Sequence, residues 1–343
     1  MNLPQARTVE FKQGERNIFF HLLTACNLSC RHCYINPEQH GSDTVSKKTL
    51  EKWLELFHNP EKPSNVIFLG GEPTMHPDLD HGIRFAKKLG YSSVTVDTNG
   101  FLFHDLLDKV KPSDLDFLSF SLDGPNPGVN DALRGDGVFD TCTKNLQSAV
   151  ARGFNVSLIY TVSRQNIDHL HKMVPLLVKW GVKRFFIQVI GIRGKTAKNG
   201  ADKWQLTPEE WLERIPQVAA DAASKGITAI YPKVFLEPLE KFECAGRVAE
   251  NYFIFPNGRV YQCPLCEDYP VNAFRIEENR LIKNTGFTEN RLFSLDIPEG
   301  CVINKILQPD NLRYDAGGKP LHKISCCLLK QEIRQHCDKK SGL

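Results

Sequence analysis

The chain has 343 residues, and at roughly 100–200 residues per domain that length suits one large domain with an appendage, or two domains. Its 43 Lys and Arg against 40 Asp and Glu leave a formal charge of +3, too small a surplus for an electrostatic grip on nucleic acid. Hydrophobic residues at 41% and charged residues at 24% exclude a disordered chain or a fibre, and no apolar run nears the roughly 20 residues of a membrane span.

Short β-rich runs alternate with amphipathic helical stretches. Residues 17–25, NIFFHLLTA, read as a first strand, and VSKKTLEKWLELFH as a helix that Ser46 is placed to cap. NVIFLG (65–70) reads as a second strand, followed by LDHGIRFAKKLG, a helix stopped at Gly90. SSVTVDTN (92–99) and the helix LFHDLLDKV come next, then FLSFSLD (117–123) and the helix FDTCTKNLQSAVARG. NVSLIYTV (155–162) and RFFIQVI (184–190) follow, with HLHKMVPLLVKWG between them. Six β–α units in succession require parallel strands with crossovers of one hand, which curl into a barrel or a doubly wound layer. In such sheets chemistry sits at the C-terminal ends of the strands. Past residue 195 the chain is polar, until a helix at 207–226 that Thr207, Pro208 and Glu210 mark as capped. YFIFPNGRVYQC carries an Asn-Gly hairpin signal, and a boundary is expected near residue 230.

The eleven cysteines are unevenly placed. Cys26, Cys30 and Cys33 crowd directly behind the first strand, Cys142 stands alone on a helix as an expected core residue, and seven fall after residue 240. The opening MNLPQARTVEFKQGERN has no apolar signal region, so a reduced, cytoplasmic chain is expected, one that uses clustered cysteines for metal or redox chemistry. Three thiolates from one loop leave an open position at a metal centre. His32 as a fourth ligand would make a zinc site, whereas an iron–sulfur cube held by three Cys would keep one iron free for a ligand.

Cys26-x-x-x-Cys30-x-x-Cys33-Tyr34 behind a first strand resembles the signature of radical S-adenosylmethionine (radical SAM) enzymes. The resemblance implies a partial (β/α)6 TIM-like barrel of α/β class. It also implies a [4Fe–4S] cluster on the three cysteines and S-adenosylmethionine on its free iron. Reductive cleavage would then yield a 5′-deoxyadenosyl radical that removes a hydrogen atom from a substrate. Gly70-Gly71-Glu72-Pro73 ends the second strand and resembles the family's methionine-ammonium motif; glycines allow close backbone approach and a carboxylate suits a cation. Ser121 and Asp123 in SLDG, with Arg134 ten residues beyond Gly124, resemble the ribose and methionine-carboxylate contacts. Asp97, Thr98 and Asn99 end the third strand and are expected at the barrel mouth, as substrate contacts or as turn residues, with Asn99 counted among the cofactor contacts. By the same resemblance Gln188 and Ile190 pass the adenine, near which Tyr34 packs.

Cys244, Gly258, Cys263 and Cys266 are spaced like the opening of SPASM and twitch domains, which hold auxiliary iron–sulfur clusters. The resemblance implies one second [4Fe–4S] cluster on Cys244, Cys263, Cys266 and a downstream cysteine, Cys326 or Cys327 ahead of Cys301 or Cys337; a four-Cys zinc site is the alternative. The expected division is an extension at 1–16, the barrel at 17–230 and a small α+β auxiliary domain at 231–343. The substrate is expected to be a peptide, crosslinked, oxidised or epimerised, or else a small molecule such as a sugar, aminocyclitol or nucleotide. A reductant such as flavodoxin or ferredoxin is implied; nucleic acid and membrane are not. The short stretch before the first strand argues against a built-in peptide-recognition domain, and the ending Lys-Ser-Gly-Leu differs from the Gly-Gly of the molybdopterin-type GTP cyclases. No catalytic residue and no oligomeric state can be read. A zinc-stabilised, non-catalytic binding protein is the reading from another class.

Overall fold

The computed structural model describes residues 6–198, 200, 203–237 and 239–335. Its strands are β1 (Arg7–Val9), β2 (Arg16–His21), β3 (Ser64–Leu69), β4 (Ser93–Thr98), β5 (Phe117–Ser121), β6 (Val156–Val162), β7 (Arg184–Val189), β8 (Thr228–Pro232), β9 (Phe235–Leu236), β10 (Glu250–Ile254), β11 (Arg259–Tyr261), β12 (Phe274–Glu277), β13 (Arg280–Lys283), β14 (Lys323–Ile324) and β15 (Lys330–Ile333). β2 to β8 lie side by side and parallel in chain order. Helices Lys47–Phe57, Leu79–Leu89, Val138–Ala151, Met173–Trp180 and Pro208–Ser224 occur in the crossovers. This is the expected α/β partial barrel.

Strand alternation creates two faces. Val66, Phe68, Val96, Phe120, Leu158, Ile187 and their neighbours are fully buried in one core with helix residues such as Leu50, Ile83 and Leu146. The residues between them, among them Asp97, Ser121, Phe186 and Gln188, are partly open and line the other, inner face. Helix ends follow the sequence signals. Ser46 Oγ accepts from Thr49 N (3.2 Å), Gly90 and Gly181 take the left-handed C-cap conformation, and Thr207 and Glu210 form a capping box.

Three stretches differ from the sequence expectation. LFHDLLDKV gives only Leu106–Lys109, because His104 and Asp105 both have positive φ and cannot propagate a helix. Pro127–Arg134 is an additional helix, opened by Asn126, whose Oδ1 accepts from Val129 N (3.1 Å), and by Pro127 in its first turn. HLHKMVPLLVKWG is a 3₁₀ turn, Ile167–Lys172, leading into Met173–Trp180.

The boundary expected near residue 230 falls inside β8, which pairs in parallel with β7. The sheet also continues beyond the barrel at both edges. β10 joins β2 in parallel and starts the antiparallel run β10-β11-β12-β13, while β15 returns between β8 and β1. The Asn257-Gly258 hairpin is as expected, with Gly258 at φ +81° and a Cβ there only 2.9 Å from Ile276 O.

Candidate functional site

The loop after β2 carries Cys26, Cys30 and Cys33, all free thiols. Its path is fixed by the GGEP turn after β3. Gly71 N donates to Leu23 O (2.9 Å) and Glu72 N to Ala25 O (3.0 Å). A Cβ on Gly71 would overlap Ala25 O, and one on Gly70 would lie 2.7 Å from Leu23 O. These glycines thus admit the thiol loop's own backbone. Glu72 is buried with its carboxylate committed: Oε1 accepts from Thr74 N (3.1 Å), Thr74 Oγ1 (2.7 Å) and Thr98 Oγ1 (2.7 Å), and Oε2 from Asn99 N (2.7 Å). Burial raises its carboxyl, opposed by these donors. Glu72 therefore ties the end of β3 to the end of β4. Pro73 is buried in the 3₁₀ turn that follows. Asn99 Nδ2 reaches Asn27 Oδ1 (2.9 Å) and lies 3.6 Å from Cys26 Sγ.

Asp123 is fully buried and pairs with Arg134 Nε (2.7 Å) and His32 Nε2 (3.1 Å) through Oδ2, while Oδ1 accepts from Thr161 N (2.8 Å). Burial pushes its carboxyl up, but Arg134 and His32 overcome this and hold it well below the carboxylate range. His32 therefore joins the SLDG strand end to the thiol loop, and the zinc-ligand alternative finds its Nε2 taken by Asp123. Arg31 N donates to Leu133 O (2.8 Å), and Cys30 Sγ lies 3.9 Å from Arg134 O. Ser121 and Gln188 are half-buried at strand ends, paired in register with Ile159 and Thr161. Ile190 is buried in a small apolar group with Leu133 and Trp204. Tyr34 shares a hydrogen bond between its hydroxyl and His21 Nε2 (2.8 Å), and the Arg193 guanidinium covers its ring at 4.4 Å.

The later cysteines also gather. Cys244, Cys263, Cys266 and Cys326 share one region, and Cys301 and Cys327 stand in it too, near enough for each thiol to feel others electrostatically. Cys337 lies outside the described residues. Cys142 is a packed core residue, as expected, beside Gly100 and Ser121 O. Burial pushes the Cys26 thiol up to about 11 and Cys301 up to about 12, so loading with metal, which needs thiolates, releases protons. Among the described residues no group of three His, Cys, Asp or Glu could hold a single metal ion. A cubane has each ligand on a separate iron and accepts thiolates spread more widely. The two donor sets are all thiols, the donor chemistry such clusters take.

Sequence reading did not mark several residues that build these sites. Glu289 is buried and accepts from Gln262 N (2.7 Å), Cys263 N (3.0 Å) and Ala273 N (3.2 Å), which fixes the Cys263 loop. His21 and His40 sandwich Phe255, with ring centroids 4.0 and 3.9 Å away. Burial lowers these imidazoles to about 3 and about 4, so both are neutral. No local motif signals any of them; only the strand alternation that turns His21 inward could have.

The sequence profile of the radical SAM superfamily matches residues 21–177. A probable GTP 3′,8-cyclase of Saccharolobus islandicus is 30% identical over 198 residues, which is 57% of this chain and 63% of the relative. An Fe-coproporphyrin III synthase of Methanosarcina barkeri is 29% identical over 187 residues, 53% of this chain and 45% of that protein. This chain thus spans less than two thirds of the length of the curated relatives it matches. Streptococcus suis SuiB bound to S-adenosylmethionine superposes with TM-score 0.66 at 17% identity, covering 89% of this chain and 77% of SuiB. The enzyme anSMEcpe with AdoMet and a peptide bound gives TM-score 0.59 at 14% identity, covering 88% and 85%. Proteins of the matched superfamily use a [4Fe–4S] cluster and S-adenosylmethionine. With its thiol loop behind the first barrel strand, the stretch of this chain from 21 to 177 is similar to the radical SAM superfamily.

Proposed function

We propose that the protein reductively cleaves S-adenosylmethionine and directs the resulting 5′-deoxyadenosyl radical at a hydrogen atom of a peptide side chain. The observation that carries this reading is the placement of Cys26, Cys30 and Cys33 on one loop at the mouth of a parallel barrel, fixed from beneath by Gly71 and Glu72. Cys26, Cys30 and Cys33 would hold the cluster, which when bound would supply the electron and an open iron for the methionine end. The chain's residues provide position: Asn99 beside Cys26, and the Asp123–Arg134–His32 knot beside Cys30. Arg134 keeps its charge beside a buried carboxylate, ready for a second carboxylate. The later cysteines, Cys244, Cys263, Cys266 and Cys326 among them, hold an auxiliary cluster in this reading. Fold likeness to SuiB and anSMEcpe, both solved with peptides, supports a peptide as substrate.

A second reading, a small anionic substrate such as a nucleotide, is favoured by the inner face of the barrel. Arg184 and Lys330 face aromatic rings there, Phe117 at 4.6 Å and Phe186 at 4.9 Å, and neither forms an ion pair among the described residues. Anaerobically reconstituted protein should be brown and hold about eight iron, falling to about four in the Cys26/Cys30/Cys33→Ala variant. With dithionite and S-adenosylmethionine it should release 5′-deoxyadenosine, faster with the true substrate class when peptides and GTP are compared. A colourless zinc protein that yields no 5′-deoxyadenosine would overturn the reading.

A further inference from the structure

Between β7 and the polar loop lies a segment, Gly191 to Lys195, that touches both thiol-bearing loops. Toward the first, Lys195 N donates to Cys33 O (3.0 Å) and Lys195 Nζ to Cys30 O (3.1 Å). Gly194, at φ +60°, sits so close that a Cβ would stand 2.5 Å from Cys33 O. Toward the second, Arg193 Nη1 donates to Pro264 O (2.7 Å) and pairs with the buried Glu267, while Gly194 N donates to Asp268 Oδ2 (2.6 Å). Pro264 lies between Cys263 and Cys266, and Glu267 directly follows Cys266. The same guanidinium lies over the ring of Tyr34, the residue after Cys33. A second stitch runs alongside: Asn36 Nδ2 donates to Asp268 Oδ1 (3.3 Å), and His40 Nε2 is hydrogen-bonded to Glu267 O (3.1 Å).

We propose that Arg193 is a positioning residue that makes the two thiol-bearing loops one unit, so that filling either with its cluster orders the other. This rests on the reading that both loops hold clusters. A planar guanidinium suits this place because its edge takes the Pro264 carbonyl and the Glu267 carboxylate while its face lies on Tyr34. An ammonium offers no such face. Glu267 is buried, and Arg193 is its ion-pair partner.

The test is a cycle on reconstituted full-length protein, read by the change that S-adenosylmethionine produces in the electron paramagnetic resonance spectrum of the reduced first cluster. In wild type, emptying the second loop by Cys263→Ala/Cys266→Ala should weaken S-adenosylmethionine binding at least about fivefold, the lower end of intersite couplings. Arg193→Gln with both loops loaded should weaken it to the same degree, and emptying the second loop in that background should change it by less than about twofold. Glu267→Gln should move in the same direction. Binding by Arg193→Gln equal to wild type, or the same loss on emptying the second loop in both backgrounds, overturns the proposal. Should Arg193→Gln not fold, Arg193→Lys carries the cycle with the same two outcomes. A wild type without iron on Cys26, Cys30 and Cys33 would instead defeat the underlying functional reading.

Discussion

Arg134→Met removes the guanidinium from a carboxylate with no exposure to solvent. Asp123 then keeps Thr161 N and His32 but loses the 2.7 Å contact to Arg134 Nε. Breaking a buried pair from one side costs about 3–5 kcal/mol, and the apo protein with reduced thiols should lose that much in urea unfolding at neutral pH. The pH dependence is the sharper reading. In wild type the folded carboxyl lies below the unfolded value of about 3.9 because Arg134 and His32 outweigh burial. Its stabilisation is therefore fully present above that value and is lost only as pH falls toward the folded one. Without Arg134, burial dominates and the folded carboxyl rises above the unfolded value. Folded Asp123 then retains a proton that the unfolded chain has released, so stability declines as pH rises above about 4, by up to about 1.4 kcal/mol per pH unit. The gap between wild type and variant should thus widen between mildly acidic and neutral pH. A loss under about 1 kcal/mol, the scale of a surface pair, or a gap independent of pH, would refute the buried-knot account.

Other substitutions test neighbouring features. Gly71→Ala places a methyl group against Ala25 O and should cost about 3 kcal/mol, the upper range for overpacking, with loss of S-adenosylmethionine binding in a spectroscopic titration. Glu289→Ala strips three backbone N–H groups of their acceptor, at about 1–3 kcal/mol each when buried. It should lower reconstituted iron from about eight toward about four while the first cluster's signal persists. Thr207→Ala removes the cap from Pro208–Ser224 and should cost about 1 kcal/mol in chemical denaturation, leaving iron content unchanged.

The barrel was legible because its strands alternate with capped amphipathic helices, and local rules decide both. Ser46, Gly90, Thr207 and Asn257-Gly258 each act through neighbours in sequence, so their effects could be read directly. The thiol spacing likewise placed Cys26, Cys30 and Cys33 on a strand-end loop. Pairings across long separations stayed hidden. Nothing local to Glu72 says that its carboxylate serves Thr98 and Asn99, and nothing local to His32 says that it faces Asp123. The course of β8, β10 and β15 into one sheet was equally silent, since strand partners are chosen by the whole topology. That Cys301, Cys326 and Cys327, each offered by the sequence as an alternative fourth ligand, all crowd beside Cys244, Cys263 and Cys266 arises in the same way.

The pairing of β1 with β15 brings Arg7 opposite Glu332. During synthesis, that edge of the sheet waits until residues 330–333 have left the ribosome, whereas β2 to β7 can associate as they emerge. The nascent protein therefore passes through a stage in which the Cys26–Cys33 loop already meets the ends of β3 and β4 while the later thiols are still being made.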